Sequence, residues 1–277
     1  MPAHSSFRWW LFVLLLLPVW ALARSSTALD VQADKIVLAK HLWYWQDHSQ
    51  RQTLAQVMSQ PGGWQRQSHD KPYFGYSDSA FWLKVDLVNN GAQPLARVLE
   101  IAYPLLDDVQ VFLVADQAPV QQYRIGDSFP FHQRVIQHRL LLTPLTFQPG
   151  RDYTLYVRIA STSGLQAPLT LWSYPAFQEH DHNRQLILGL LYGALLIMAA
   201  YNFFIWLSVR EKSYLFYVAF VMVYTLMLTT VDGFTFQYLW PEQVWWNNRA
   251  IVIELASALF ASMLFSKNFL HTEVYSP

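Results

Sequence analysis

Two long uncharged stretches near the carboxyl end restrict the fold of this chain more than any other feature. Residues 186–208 form a run of 23 without a charged side chain, and residues 214–231 form a second run of 18. A helix rises about 1.5 Å per residue, so the first run reaches roughly 34 Å and exceeds the roughly 30 Å hydrocarbon core of a bilayer. The runs therefore predict transmembrane helices at about 186–208 and 214–232.

Three consecutive charged residues, Arg210, Glu211 and Lys212, separate these two runs in the segment "VREKS". A Lys or Arg at the centre of a bilayer costs about 2.5–3.5 kcal/mol, so this segment is predicted to lie in water at the tip of an antiparallel helical hairpin. The soluble alternative, a hairpin buried in a large core, would need protein around the whole circumference of both helices. A third helix is predicted at about 250–267.

The amino terminus has the features of a secretory signal peptide. Arg8 precedes an apolar run over residues 9–23, and Ala21 and Ala23 have the spacing of a cleavage site. An uncleaved anchor is the alternative, although the run is shorter than the roughly 20 residues of a spanning helix. We predict a signal peptide over residues 1–23, and either reading exports the segment that follows.

Charge and cysteine content exclude several function classes. The chain has 19 basic and 19 acidic side chains and no cysteine. No basic surface for nucleic acid is indicated, and disulfides, thiolate metal sites and cysteine nucleophiles are ruled out. No motif for a catalytic site, a metal or a cofactor is present, so we expect no cofactor and no enzymatic activity in this chain.

Residues 24–180 carry the alternating pattern of short β-strands. In "SAFWLKVDLVNNG" (79–91), every second residue from Phe81 to Leu87 is apolar, and Asn90 and Gly91 then turn the chain. Similar segments are "RVLEIAYP", "DVQVFLVA" and "DYTLYVRIAS". Several such strands predict an all-β jelly roll or β-sandwich, followed by α-helical transmembrane segments.

Longer blocks of the sequence resemble one protein family. They include "GYSDSAFWLKVDLVN", "LEIAYPLLDDVQVFL", "YVRIASTSGLQAPLTLW", "GLLYGALLIMAAYNFFIWLSVREKSYLFYVAF" and "GFTFQYLWPE". In this order they resemble the bacterial seven-transmembrane receptors with diverse intracellular signalling modules, 7TMR-DISM, over about residues 30–277.

The resemblance implies a location and a signalling role. Residues 24–185 would lie in the periplasm as a type 2 extracellular domain similar to carbohydrate-binding modules, and residues 181–277 would form part of a seven-helix bundle in the bacterial inner membrane. The family's remaining four helices, and an output module such as a histidine kinase of a two-component system or a diguanylate cyclase, are not among these 277 residues.

A sugar-binding groove needs aromatic faces and a few convergent polar groups. Candidate ligand-binding residues lie on predicted strands or share the loop "GDSFPFHQR": Trp82, Tyr103, Asp127, His132, Arg134, Arg158 and Trp172. The alternative is that most of them are core aromatics and solvated loop charges.

Ionisable residues beside membrane spans are candidates for transmembrane coupling. Asp232 and Glu254 are both predicted near the outer leaflet, with Arg249 or Asn202 as partner, and depth favours Arg249. The segment "EHDH" (179–182) is predicted to be a solvated linker rather than a metal site.

The leading hypothesis is the sensory input portion of a membrane receptor. Its partners would be the membrane, a small-molecule or carbohydrate ligand, a cytoplasmic signalling module in cis or in trans, and a second copy in a homodimer, but not nucleic acid. The alternatives are a membrane-anchored periplasmic enzyme acting on glycans and a partner-binding membrane module.

Overall fold

Three β-sheets and a set of apolar helices make up the described part of the protein in a computed structural model, which describes residues 28–60, 62–67 and 72–270. The predicted signal peptide lies outside these residues. The strands, in chain order, are β1 (Leu29–Asp30), β2 (Lys35–Val37), β3 (Trp43–Asp47), β4 (Gln65–Arg66), β5 (Tyr73–Gly75), β6 (Ala80–Val88), β7 (Leu95–Ile101), β8 (Asp108–Ala115), β9 (Ala118–Ile125), β10 (Leu141–Phe147), β11 (Asp152–Ala160), β12 (Leu165–Gln166) and β13 (Leu169–Trp172).

The strands form a sandwich. The larger sheet has the order β4-β3-β6-β11-β8-β9, with β1 added in parallel to β6, and the smaller sheet has the order β10-β7-β13-β2. Strands β5 and β12 form a separate two-stranded sheet. The predicted fold class, a β-sandwich followed by apolar helices, is confirmed.

Alternation along the central strands builds the core. On β6, Leu83 and Val85 face inward and pair in register with Val157 and Leu155 of β11, and all four are buried. Burying one such side chain contributes about 1.5–3 kcal/mol, so this alternation fixes which face of the larger sheet meets the smaller one. The opposite face of the larger sheet, which we call the outer face, points away from the core.

A short helix covers part of the outer face. Helix α1 (Leu54–Met58) begins at a capping box, in which the Thr53 hydroxyl accepts from the Gln56 amide and the Gln56 side chain accepts from the Thr53 amide. Its Val57 is buried in a cluster with Trp82 of β6. Trp64, next to β4, packs on the same face against Tyr156 of β11.

Four helices follow the sandwich: α2 (Tyr174–Val209), α3 (Lys212–Val231), α4 (Phe234–Tyr238) and α5 (Val244–Phe269). Helices α2, α3 and α5 are each long and apolar enough to cross a membrane. Helix α3 packs against both α2 and α5. Arg210 ends α2 in the left-handed conformation, at φ 58°, and allows the sharp reversal into α3.

The first membrane helix begins inside the sandwich domain, earlier than the predicted residue 186. Phe177 of α2 is buried in a cluster with Leu140 and with three residues of the smaller sheet, Val98, Leu142 and Trp172. Asp181 is also buried. The prediction of a solvated linker at 179–182 does not match this continuous helix, in which Asp181 is buried and His180 stacks on Trp172. The turns of α2 that pack on the sandwich therefore belong to the same unbroken helix as the predicted membrane span.

Cysteine labelling tests the threading of the chain, which has no native cysteine to interfere. We expect Glu211→Cys, between α2 and α3, to react with an impermeant maleimide only after the inner membrane is permeabilised. The matched control, Ala118→Cys on exposed β9, is expected to react in intact spheroplasts. Labelling of residue 211 from the outside would contradict this orientation.

Candidate functional site

A groove lies on the outer face of the larger sheet, where four strands place polar side chains in one row. The strand register aligns Trp82 of β6, Arg158 of β11, Gln110 of β8 and Arg124 of β9. Asp108 lies at the start of β8 beside this row, and the segment from Gln50 to Leu54 forms one wall. The groove has a volume of about 410 Å³, which is within the range of small-molecule sites.

Two arginines hold Asp108, the single carboxylate among the described residues that line this groove. Arg124 donates to both oxygens of Asp108 at 2.8 and 3.0 Å, and Arg158 Nη1 donates to the same carboxylate at 3.3 Å. The hydrogen bond with Asp108 raises the pKa of Arg124. Since Arg51 also lines the groove, three positive charges face one negative charge among its lining residues.

Trp82 forms the floor of the groove and does not offer a stacking surface. Its ring is 1% exposed and stacks on Phe112, with centroids 6.0 Å apart. Its Nε1–H finds no acceptor within the described part of the chain. The expected role of Trp82 as a platform for a sugar ring is therefore corrected, because both faces of the ring are covered. A ligand here would be held mainly by hydrogen bonds.

A second polar cluster joins the sandwich to the helices, and we call it the junction. Arg139, which precedes β10, is 1% exposed and donates from Nη2 to Asp181 of α2 at 3.0 Å. His138 Nε2 lies 3.0 Å from the other oxygen of Asp181. Arg139 also lies over the ring of Phe234 of α4. Burial lowers the pKa of Arg139, and the charge of Asp181 opposes this shift.

Three predicted ligand residues lie at the junction and not in the groove. Asn247 of α5 donates to Asp127 at 3.4 Å, and His132 Nδ1 lies 2.9 Å from Glu242. The Arg134 guanidinium lies 5.4 Å from the centre of the Phe236 ring of α4. Sequence analysis correctly grouped these residues in one loop, but the loop turns toward the membrane helices instead of the outer face.

The remaining predicted ligand residues are separated from the groove, apart from Arg158. Trp172 is 5% exposed, donates to Glu100 at 2.8 Å and stacks on His180 of α2, so a ligand-stacking role does not fit. Tyr103 is half-buried beside Ser163, and burial raises its pKa.

The predicted coupling residues have partners other than those expected. Asp232 accepts a hydrogen bond from the Tyr192 hydroxyl, and Arg184 lies 3.9 Å away. Glu254 accepts from Thr230 at 3.0 Å, between α3 and α5. Arg249 is not the partner of either, because it donates to the Trp245 carbonyl and stacks on the Trp245 ring.

Several residues that form the polar contacts of the groove and the junction were not predicted from the sequence: Asp108, Arg124, Arg139, Asp181 and Asn247. The only available signal was polar character at positions where a strand or helix begins or ends, and such positions are most often solvated. Among residues 28–60, 62–67 and 72–270, no three His, Asp or Glu side chains converge as metal ligands would.

Removing one partner of the buried junction pair is expected to destabilise the protein strongly. Arg139→Met leaves the Asp181 carboxylate buried without this partner and should lower the free energy of unfolding by about 3–5 kcal/mol. Arg139→Met combined with Asp181→Leu should recover a large part of this loss. Thermal unfolding of the full chain in detergent measures both effects.

The matched control is Arg151→Met, which removes a surface pair with Asp116, whose side chains are 37% and 79% exposed. We expect this variant to unfold at nearly the same temperature as the starting protein, because solvent screens an exposed ion pair. Equal losses from Arg139→Met and Arg151→Met would show that the junction pair does not hold the two parts together.

Comparisons with known proteins agree with the two-part architecture. Residues 39–173 match the family description 7TMR-DISM extracellular 2, and residues 184–277 match 7TM diverse intracellular signalling. No curated protein matches the chain. A solved GH31 alpha-xylosidase from Xanthomonas citri is similar at 10% identity, over 52% of this chain and 19% of its own, with a TM-score of 0.22. The chain thus belongs to the 7TMR-DISM family, as an inner-membrane protein with a periplasmic sandwich domain.

Proposed function

We propose that the groove on the outer face binds a small polar ligand and that the junction passes this event to the membrane helices. The family matches support a chain that contains the sensory portion of a membrane receptor. The ligand, the site and the route are our proposal. Arg158, Arg124 and Gln110 line the groove and suit a ligand with hydroxyl or carboxylate groups, such as a carbohydrate.

The observation that carries this proposal is the closeness of the groove and the junction along two strands. Asp108 lies in the groove, and its neighbour Asp107 lies beside Asp127 at the junction. On β9, Arg124 lies in the groove, and the strand ends at Ile125, just before Asp127. A ligand that displaces the Asp108–Arg124 pair therefore acts on the two chain segments that lead to Asp107 and Asp127, and Asp127 contacts Asn247 of α5.

Transmission needs a ligand that prefers one arrangement of sandwich and helices over the other. A ligand with equal affinity for both arrangements would shift neither population, however tightly it bound. In the proposed route the signal passes along α2 and the outer ends of α3 and α5. It then reaches a histidine kinase or a diguanylate cyclase module, in cis or in trans.

A glycan-active enzyme fits the groove less well. Glycoside hydrolysis commonly uses two carboxyl groups about 5–10 Å apart across the scissile bond. Among the described residues that line the groove, only Asp108 carries a carboxylate, and two arginines occupy it. Binding without turnover is the function that this arrangement supports.

Thermal unfolding of the full chain in nanodiscs tests the ligand site. A panel of neutral, amino and acidic sugars should contain at least one compound that raises Tm by about 3 °C or more at saturation. Arg158→Ala should abolish this increase, because Arg158 bonds both the Gln50 carbonyl and Asp108 in the groove.

Arg151→Ala serves as the matched control because Arg151 does not line the groove. It should leave the ligand-induced increase in Tm intact. Failure of every sugar to raise Tm would overturn the carbohydrate proposal. Co-purification of a kinase or cyclase together with that failure would support the partner-binding alternative.

A further inference from the structure

Two carboxyl groups lie side by side where the sandwich meets α5. The Asp127 amide donates to the Leu106 carbonyl at 2.9 Å, and the Ser128 amide donates to the Asp107 carbonyl at 3.2 Å. This approach requires a glycine at residue 126, because a Cβ there would lie 2.0 Å from the Asp107 carbonyl oxygen. The backbone thus holds the side chains of Asp107 and Asp127 within interaction distance.

Asp127 is buried without enough partners for a charged carboxylate. Its residue is 4% exposed, and its Oδ1 lacks a hydrogen-bond partner among the described residues. Its Oδ2 accepts one long hydrogen bond, 3.4 Å, from Asn247 of α5. Asn247 is itself buried and accepts from the Trp240 indole at 3.2 Å. A buried ionised carboxylate without full hydrogen bonding is costly, whereas a neutral carboxyl is not.

The charged groups around Asp127 do not fully compensate for the cost of ionising its carboxyl group. Asp107 accepts two hydrogen bonds from Thr162, both at 2.7 Å, and its charge repels that of Asp127. Arg134 attracts Asp127, but its Nη1 donates instead to the carbonyls of His138 and Arg139.

Other titratable or charged groups lie around Asp127. Tyr103 follows β7, and the exposed His132–Glu242 pair joins the sandwich loop to the segment before α5. The Arg139–Asp181 pair lies toward α2. Burial, together with the charge of Asp107, raises the pKa of Asp127 to about 7, and Arg134 opposes this shift. Protonation of Asp127 therefore changes near neutral pH.

We propose that Asp127 is a proton-binding site through which periplasmic pH controls the docking of the sandwich on α5, as an input separate from the ligand. In acid, a neutral Asp127 carboxyl shares its proton with Asp107 and keeps its contact with Asn247. As pH rises, the proton leaves to solvent, two carboxylates face each other in a buried corner, and the loop moves away from α5. The groove is not involved in this step.

Spin-label distances test the proposal on the full chain in nanodiscs, without ligand. Gln133→Cys and Asn248→Cys replace exposed residues on the two sides of the junction, and the chain has no other cysteine. We expect one short, narrow distance distribution at pH 5.5 and a longer or broader one at pH 8.5, with a midpoint near pH 7. Asp127→Asn, which stays neutral, should keep the low-pH distribution at every pH.

Two further variants separate this site from its neighbours. His132→Gln removes the titratable partner of Glu242 and should leave the transition in place, whereas Asp107→Asn removes the repelling charge and should move the midpoint to lower pH. An unchanged distribution in the starting protein between pH 5.5 and 8.5 would overturn the proposal. So would a transition that persists in Asp127→Asn.

Thermal unfolding of the unlabelled protein gives a second, independent measurement of the same site. The pKa of Asp127 rises from 3.8, its ordinary value, to about 7 in the folded protein, so the folded state binds more protons between these values. The stability from this group is complete below the ordinary pKa and is lost as pH rises to about 7.

We expect Tm of the starting protein to fall by about 3 °C or more from pH 5.5 to 8. Asp127→Asn should remove most of this decrease, while Asp152→Asn, at an exposed position on β11, should not. An equal pH dependence in both variants would contradict the assignment. Because no ligand is added, failure of this test is distinct from failure of the ligand groove.

Discussion

The buried ion pair between Arg139 and Asp181 is the interaction on which the arrangement of sandwich and helices depends. One partner comes from the sandwich and the other from the first membrane helix, so each charge is compensated only when the two parts are docked. Gly233, at φ 81°, allows the outer end of α3 to approach, since a Cβ there would lie 2.7 Å from the Arg139 carbonyl oxygen. The contact therefore selects one orientation of the sandwich.

This dependence explains how a rigid β-sandwich can communicate with a membrane. Its core is filled by apolar side chains that leave little freedom for internal change, so the adjustable part is its edge. At that edge, the charge of Asp107 raises the pKa of Asp127, Asn247 donates to Asp127, and Arg139 pairs with Asp181 of α2. Buried polar groups whose hydrogen bonds are not all satisfied can form a two-state element. A small change in their charge strongly alters the free energy of the docked arrangement.

Strand positions could be predicted from the sequence because apolar residues alternate along each strand. The surroundings of individual side chains could not, because these depend on how separate elements pack. The alternation in β6 placed Trp82 opposite the core, and the register then put it beside Arg158 on the outer face. The same reasoning could not show that α1 and Phe112 cover the Trp82 ring. For Arg249, depth in the membrane suggested a partner, but the rotation of α5 about its axis directs this side chain to Trp245.

The sequence alone determined that two kinds of structure share this chain, a strand-rich exported domain and helices for a bilayer. Periodicity and hydropathy are local properties, and a few neighbouring residues suffice to show them. Only the tertiary structure decided which polar residues are buried and what they contact, as in the pair of Asp127 and Asn247 or of Arg139 and Asp181. A charge is buried only when segments far apart in sequence surround it, and the pattern of neighbouring residues does not show which distant segments will pack there.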